Sequence, residues 1–309
     1  MYGFDELDKV GSARFAWGPA ALVDLCIERI RSLRGDIGGA VFDTYLSAQK
    51  KLSEMDLPGA TVVMAAMRAP LFEMPVDAGG RTAYALVPPT YIDDKALIGK
   101  VDAAVENVFG KATPIRAPFK TLAVLLGLAK YGRNNIAYVH GMGSYVRLRC
   151  YIATRQVESS YPAPIRPLEK DLGSDYLSDE CRGCDICESA CPTGAIENRG
   201  FMLDASRCMT LANEDAKKLP GWYEKSFSHC MVGCMRCQEA CPMNDGKLQR
   251  IRLRSGLDKD QAAWVLNGSD DPEGRLEAGV KQVLKENGMS YLDDVFARNM
   301  KSLYDAGRL

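Results

Sequence analysis

Seven cysteines between residues 181 and 241 fall into two short runs, Cys181, Cys184, Cys187 and Cys191-Pro192, then Cys234, Cys237 and Cys241-Pro242. Two residues between successive cysteines let one tight turn aim three thiolates at three irons of a [4Fe-4S] cubane. The cysteine before proline comes after a longer gap and points away from that turn. The chemistry implied is the storage and passage of single electrons.

In two-cluster ferredoxins that last thiolate ligates the other cluster, so the two motifs interlock. Applied here, Cys181, Cys184 and Cys187 share one cluster with Cys241, while Cys191 joins Cys234 and Cys237 on the second. One ligand is then missing, and two cysteines compete for it. Cys208 lies in Leu203-Asp-Ala-Ser-Arg-Cys208 and Cys230 in His229-Cys-Met-Val-Gly-Cys234. Cys230 stands one residue too far from Cys234 for the simple pattern, which favours Cys208 and leaves Cys230 as a spare or gating thiol. Paired Cys-x-x-Cys units also suit zinc, but zinc has no use for a third cysteine at the same spacing or for the Cys-Pro ending. A disulfide framework fits poorly with 11 cysteines, an odd number, in a chain long enough for an ordinary core. Cys26 and Cys150, far from the motifs, read as small buried hydrophobes.

The elements that must position these thiolates are legible in outline. Residues 20–34 repeat apolar positions at helical spacing and Gly35 closes them. Ala60 to Met67 reads as a buried strand, Thr82 to Val87 as a second extended segment, and 93–109 and 119–131 as helices stopped by Gly110 and Gly132. Ile136 to Val139 and Val146 to Ala153 fit two strands joined by a glycine turn. Residues 159–175, with three prolines, read as a linker, and 176–245 as the cluster module with a helical insertion over 212–218. Amphipathic stretches at 248–265, 274–286 and 291–303 predict short covering helices. Three regions result: an α/β domain over 1–170, a cluster domain over 171–245 and a helical extension over 246–309.

Composition bounds the partners. With 47% hydrophobic and 26% charged residues the chain reads as soluble and globular, and 39 Lys and Arg against 40 Asp and Glu leave no basic excess to announce nucleic acid. The N-terminal residues lack the apolar stretch of a secretory signal, and the apolar run from Leu122 to Ala129 is too short to span a bilayer. Thiolate ligands need a reducing compartment, so the expectation is cytoplasmic and non-membrane.

The order of parts, a mixed α/β region followed by a two-cluster module, resembles the epoxyqueuosine reductase family, relatives of corrinoid-dependent reductive dehalogenases. The motifs that carry the likeness are Cys191-Pro-Thr-Gly-Ala-Ile with Leu203-Asp-Ala-Ser-Arg-Cys208, Gly233-Cys-Met-Arg-Cys-Gln-Glu-Ala-Cys-Pro-Met-Asn244, and Gly127-Leu-Ala-Lys-Tyr-Gly-Arg-Asn134 followed by Gly143-Ser144. The resemblance implies an α+β architecture: a nitroreductase-like, cobalamin-binding α/β domain, a ferredoxin-like module with two [4Fe-4S] clusters, and C-terminal helices. It also implies Cys208 as the eighth ligand, and corrinoid contacts from Gly127, Gly132, Arg133, Asn134 and Ser144. The same residues read as helix stops and turns on local grounds. The family's catalytic aspartate precedes the Gly-Leu motif, yet this sequence has no Asp or Glu between Lys111 and Lys130.

The expected activity is that of a cobalamin-dependent reductase, fed by a low-potential donor of ferredoxin or flavodoxin type and acting on a small-molecule or modified-nucleoside substrate. An electron-transfer protein without corrinoid and a flavin-binding variant are the alternatives. For proton delivery the candidates are Tyr131 and His140, with Tyr138 and Tyr145 nearby, although His140 also reads as a plain loop residue. His229 reads as a loop neighbour of Cys230 able to hydrogen-bond a cluster sulfur. Arg250-x-Arg-x-Arg254 is expected to be a solvated helix face or a landing patch for an acidic donor.

Overall fold

The computed structural model describes residues 4–37, 41–43, 46–55, 57, 59–160, 176–196, 203–215 and 219–309. Among the described residues nine strands run in chain order: β1 Ala13–Pro19, β2 Thr61–Arg68, β3 Leu71–Asp77, β4 Thr82–Val87, β5 Ala112–Ile115, β6 Ala129–Tyr131, β7 Ala137–Val139, β8 Val146–Ala153 and β9 Arg250–Arg252. The helices that matter below are α1 Leu22–Ser32, α2 Lys95–Phe109, α3 Phe119–Leu125, α4 Ile186–Ala190, α5 Met209–Glu214, α6 Arg236–Glu239, α7 Lys259–Asn267, α8 Arg275–Glu286 and α9 Asp293–Asp305. They fall into two compact units that interleave along the chain. The first holds Met1–Arg68, Asp94–Asp185 and Ile196–Leu203; the second holds Ala69–Asp93, Ile186–Ala195 and Asp204–Leu309.

The first unit is built on an antiparallel sheet in the order β1-β2-β8-β5. Thr61 to Met67 of β2 are all buried because the sheet is covered on both faces. Successive side chains of a strand point to opposite faces. Val62, Met64 and Ala66 accordingly join the core formed with α1 and α3, and Val63, Ala65 and Met67 join that formed with α2. Each of the buried Val and Met side chains contributes about 1.5–3 kcal/mol, so this one strand anchors both layers. Cys26 and Cys150 are fully buried in the first of these cores, and burial pushes the Cys26 thiol up to about 12. Both are inert core residues, as the sequence indicates.

Three expectations for this unit need correction. The helix expected over 119–131 ends at Leu125. Gly127 adopts φ +72° and the Leu128 N–H returns to the Ala123 carbonyl at 2.8 Å, so the chain reverses and residues 129–131 form β6. β7 and β8 are not partners: β7 pairs with β6, while β8 lies between β2 and β5. β1 and β5 were not anticipated, β5 because Pro114 reads as a breaker; a sheet edge, where β5 lies, tolerates proline.

The second unit sets the sheet β4-β3-β9 against α7, α8 and α9. Met74 and Val76 of β3 share a core with Leu266, Leu284, Phe296 and Met300, and Met231 and Val232 of the cysteine segment enter the same core. The C-terminal helices thus supply much of this unit's core instead of merely covering it. The helix expected from 248 begins only after Asp258, whose side chain accepts from the Asp260 and Gln261 N–H groups while Gln261 accepts in return from the Asp258 N–H. That capping box fixes the start of α7, and residues 250–252 become the edge strand β9, parallel to β3. The insertion expected over 212–218 starts earlier, at Met209, and residues 216–218 lie outside the described residues, as do 161–175 of the expected linker.

Candidate metal centre

Short helices present the cysteines of the second unit. Cys208 is the N-cap residue of α5, with its sulfur near the Thr210 and Leu211 backbone at the helix start but without a side-chain capping bond. Cys234 lies just before α6, and Cys237 lies within that helix. A sulfur at a helix start meets free N–H groups and the positive end of the helix, which favour its thiolate form. α4, which carries Cys187, packs against α6.

Four thiols from three places in the sequence come within electrostatic reach of one another. Cys208 interacts with Cys191; Cys234 with Cys208 and Cys191; Cys237 with Cys234, Cys208, Cys187 and Cys191, so Cys187 of the first motif also reaches this group. Burial pushes all of Cys208, Cys234 and Cys237 up, Cys234 to about 11, and the neighbouring thiols add to the effect. Iron would reverse that balance, because a bound metal draws the thiolate out of the thiol. Among the described residues no three Cys, His, Asp or Glu side chains converge on a point that a single ion would occupy. A cubane asks for a wider set, since each thiolate meets a different iron.

Cys230 has different surroundings. It is 1% exposed and lies within electrostatic reach of Cys234. Beside it lies Tyr91, whose hydroxyl donates to Glu214 on α5. A Cβ on Gly233, which holds φ +65°, would stand 2.6 Å from the Tyr91 oxygen, so only glycine fits there. Asn213 donates to the Gly233 carbonyl at 2.8 Å, and Arg298 and Asn299 of α9 donate to carbonyls at the end of α5. His229 meets Glu239 at 2.7 Å, which pulls the Glu239 carboxyl below its usual range. Tyr91, Glu214 and Arg298 carry no motif signal; only Gly233, next to Cys234, hinted at a close approach.

In the first unit, residues 45–48 apart in sequence meet. The hairpin β6–β7 holds Gly132, Arg133 and Asn134 in its turn, and Arg133 donates to the Cys181 carbonyl at 3.0 Å. Tyr131 exchanges backbone hydrogen bonds with Tyr176 and Ser178 at 2.8 Å each, which fixes the approach to the first cysteine motif. Local packing accounts for much of the turn. A Cβ on Gly132 would stand 2.5 Å from the Tyr138 ring, and buried Asn134 donates to the Tyr138 hydroxyl at 2.9 Å. Gly127 is the stop of α3, and Ser144 is buried before β8. Tyr131 is also buried, bonded to Thr121 at 2.9 Å and pushed up to about 12 by desolvation. Tyr138 and Tyr145 are buried as well, whereas His140 is exposed.

Two interleaved units, one carrying a mixed α/β sheet and the other most of a thiol cluster, define an iron–sulfur protein with an added α/β framework. Residues 180–244 match the model of a 4Fe-4S double cluster binding domain, which replaces the zinc alternative. The particular likeness is to epoxyqueuosine reductases. The Bacillus subtilis (strain 168) enzyme is 30% identical over 128 residues, covering 41% of this chain and 29% of that protein. The structure of a selenomethionine-labelled epoxyqueuosine reductase superposes with a TM-score of 0.70 at 17% identity, over 99% of this chain and 81% of that one. A second, an epoxyqueuosine reductase with an epoxyqueuosine-modified tRNA stem loop, gives 0.67 at 18% identity, over 98% and 82%. The sequence match thus spans less than a third of the length of the Bacillus relative. The fold is shared along nearly the whole chain. No helix among the described residues is long and apolar enough to cross a membrane.

Proposed function

We propose that this chain is a cobalamin-dependent iron–sulfur reductase of the epoxyqueuosine reductase type, with a nitroreductase-like α/β region and a ferredoxin-like cluster module, working in the reducing cytoplasm. The observation that carries the reading is the mutual proximity of Cys191, Cys208, Cys234 and Cys237, drawn from both motifs and the loop between them. The interlocked ligation rule asks for Cys191, Cys234 and Cys237 on one cluster, and the family resemblance adds Cys208. Cys181, Cys184, Cys187 and Cys241 take the other cluster by the same rule.

Cobalamin, when bound, supplies a low-valent cobalt as nucleophile or reductant towards the substrate. Gly127, Gly132, Arg133, Asn134 and Ser144 are the residues that would hold it. Their polar groups are an amide, a hydroxyl, the Arg133 guanidinium and backbone, which can hydrogen-bond the amide-rich rim of a corrin. The chain's own task is to fix this turn against the Cys181 backbone, so that cofactor site and electron path keep one geometry.

Reduction of the substrate also needs a proton from a group within hydrogen-bond reach. The segment from Lys111 to Lys130 supplies no carboxylate. Tyr131 holds its proton too tightly at neutral pH and is buried, so exposed His140 is the better placed of the two candidates. The substrate is a small molecule or a modified nucleoside, in keeping with the relative solved with a modified tRNA stem loop.

The reducing partner is an acidic, low-potential protein of ferredoxin or flavodoxin type. β9, an edge strand in the segment after the last cysteine motif, offers exposed Arg250 and Arg252, and exposed Arg254 follows it. Glu73 bonds Arg250 at 3.0 Å but stands 3.6 Å from Arg252, which is 70% exposed. A surface pair of that kind contributes about 0–1 kcal/mol, so a partner's carboxylate can compete for Arg252.

A second reading, an electron-transfer protein without corrinoid, is favoured by the missing carboxylate and by the local packing that already explains Gly132 and Asn134. Cob(II)alamin added anaerobically to the cluster-loaded chain separates the two. Co-elution with an altered cobalt EPR spectrum supports the reductase. Free corrinoid beside intact clusters supports electron transfer, and a yellow chromophore released from the purified chain supports flavin.

A further inference from the structure

The geometry points to Arg236 as the residue that sets the reduction potential of the cluster held by Cys191, Cys208, Cys234 and Cys237, its buried Nε–H donating to a sulfur of that cluster. The inference rests on the cluster reading above and goes beyond it by assigning a role to a residue that is neither a ligand nor part of the cysteine spacing. Arg236 is the first residue of α6 and stands between Cys234 and Cys237. Its Nη2 donates to the Ser226 carbonyl at 3.0 Å, which pins the guanidinium. Its Nε is buried and has no hydrogen-bond partner among the described residues. A buried N–H without an acceptor is costly, and native proteins seldom leave one.

The nearby acceptors narrow the choice. Glu239, on the same helix, is engaged by His229 at 2.7 Å and faces Arg250 at 3.8 Å. Arg236 lies close enough to Cys230 and Cys234 for its charge to bear on both thiols. A cluster bound through Cys234 would bring sulfur acceptors to this place. Hydrogen bonds to cluster sulfurs and nearby charge are among the features that set such potentials. Reduction adds one electron and one negative charge to the cluster. A fixed guanidinium stabilises the reduced form more than the oxidised one and so raises the potential.

The test is an EPR-monitored redox titration of the cluster-loaded full chain with dithionite as the electron source, for the wild type, R236Q and R236K. We expect R236Q to lower one of the two midpoint potentials by at least about tenfold in the reduction equilibrium, about 59 mV for a one-electron couple, with the other unmoved. R236K keeps the charge but loses the Nε–H, so its potential should fall between. If R236Q sheds a cluster, the R236K potential decides. Unchanged potentials, an equal shift of both, R236K matching the wild type, or loss of the same cluster in both variants would each overturn the assignment. The last outcome would leave Arg236 a structural anchor through Ser226. A wild-type chain that takes up no pair of clusters would end the cluster reading itself, a separate result.

Discussion

Cys208 and Cys230 differ in their neighbours more than in their burial. Cys208 stands at the start of α5 beside Cys191, Cys234 and Cys237, while Cys230 lies beside Tyr91 and near Cys234. Cys208→Ala should therefore cost one cluster, leaving about four irons per chain, whereas Cys230→Ala should keep about eight; iron and sulfide assays on the two variants check this, and the reverse pattern would exchange their roles. Cys191→Ala should lose the same cluster as Cys208→Ala although it belongs to the first motif, and spectra showing loss of the other cluster would contradict the interlock. The cysteines were legible because cubane chemistry imposes a spacing on sequence. Tyr91 was not, because its contact with Gly233 joins positions 142 apart, and nothing in a single sequence records such a pair.

Replacing Gly233 by Ala tests that pair. The new Cβ would meet the Tyr91 oxygen, and the left-handed backbone would cost a further 1–3 kcal/mol or so. Gly233→Ala should lower the melting temperature of the cluster-loaded chain, and Tyr91→Phe in the same chain should relieve part of the loss by removing the oxygen. No recovery in the double variant would place the strain elsewhere.

Among the elements, β9 is the one whose misreading changes the functional picture. An amphipathic pattern at 248–265 reads as a helix, but the capping box at Asp258 delays the helix and leaves Arg250 to Arg252 extended along β3. Side chains two apart on a strand share a face, so Arg250 and Arg252 line one side of a sheet edge, a denser row of charge than a helix would give. The double charge reversal Arg252→Glu with Arg254→Glu should raise KM for a reduced ferredoxin or flavodoxin, weaken its salt dependence and leave cluster reduction by dithionite unchanged. Unaltered donor kinetics would remove β9 from the electron entry site. The strands with prolines, β3 and β5, escaped the sequence reading for a related reason: proline argues against a central strand, but Pro75 pairs with Tyr84 on one side and lies beyond the Leu71–Glu73 stretch to which β9 pairs.

For the whole molecule, the double-cluster cysteine motif and the α/β framework were legible, and the interleaving of the two units was not. Residues 69–93 belong with the C-terminal helices because β3 and β4 share a core with α7, α8 and α9, a long-range pairing that hydrophobic periodicity does not encode. The near-zero net charge gave no hint of partners, since the relevant charge is local to β9. The likeness to epoxyqueuosine reductases extends along the fold, while the carboxylate that the family places before the Gly-Leu motif is missing. The central claim is therefore best tested by composition. Iron, acid-labile sulfide and cobalt should be counted together in the chain purified anaerobically after cobalamin has been supplied. About eight irons and eight sulfides with about one cobalt per chain is the result predicted here; eight irons without cobalt would contradict the corrinoid reductase and leave an iron–sulfur electron carrier.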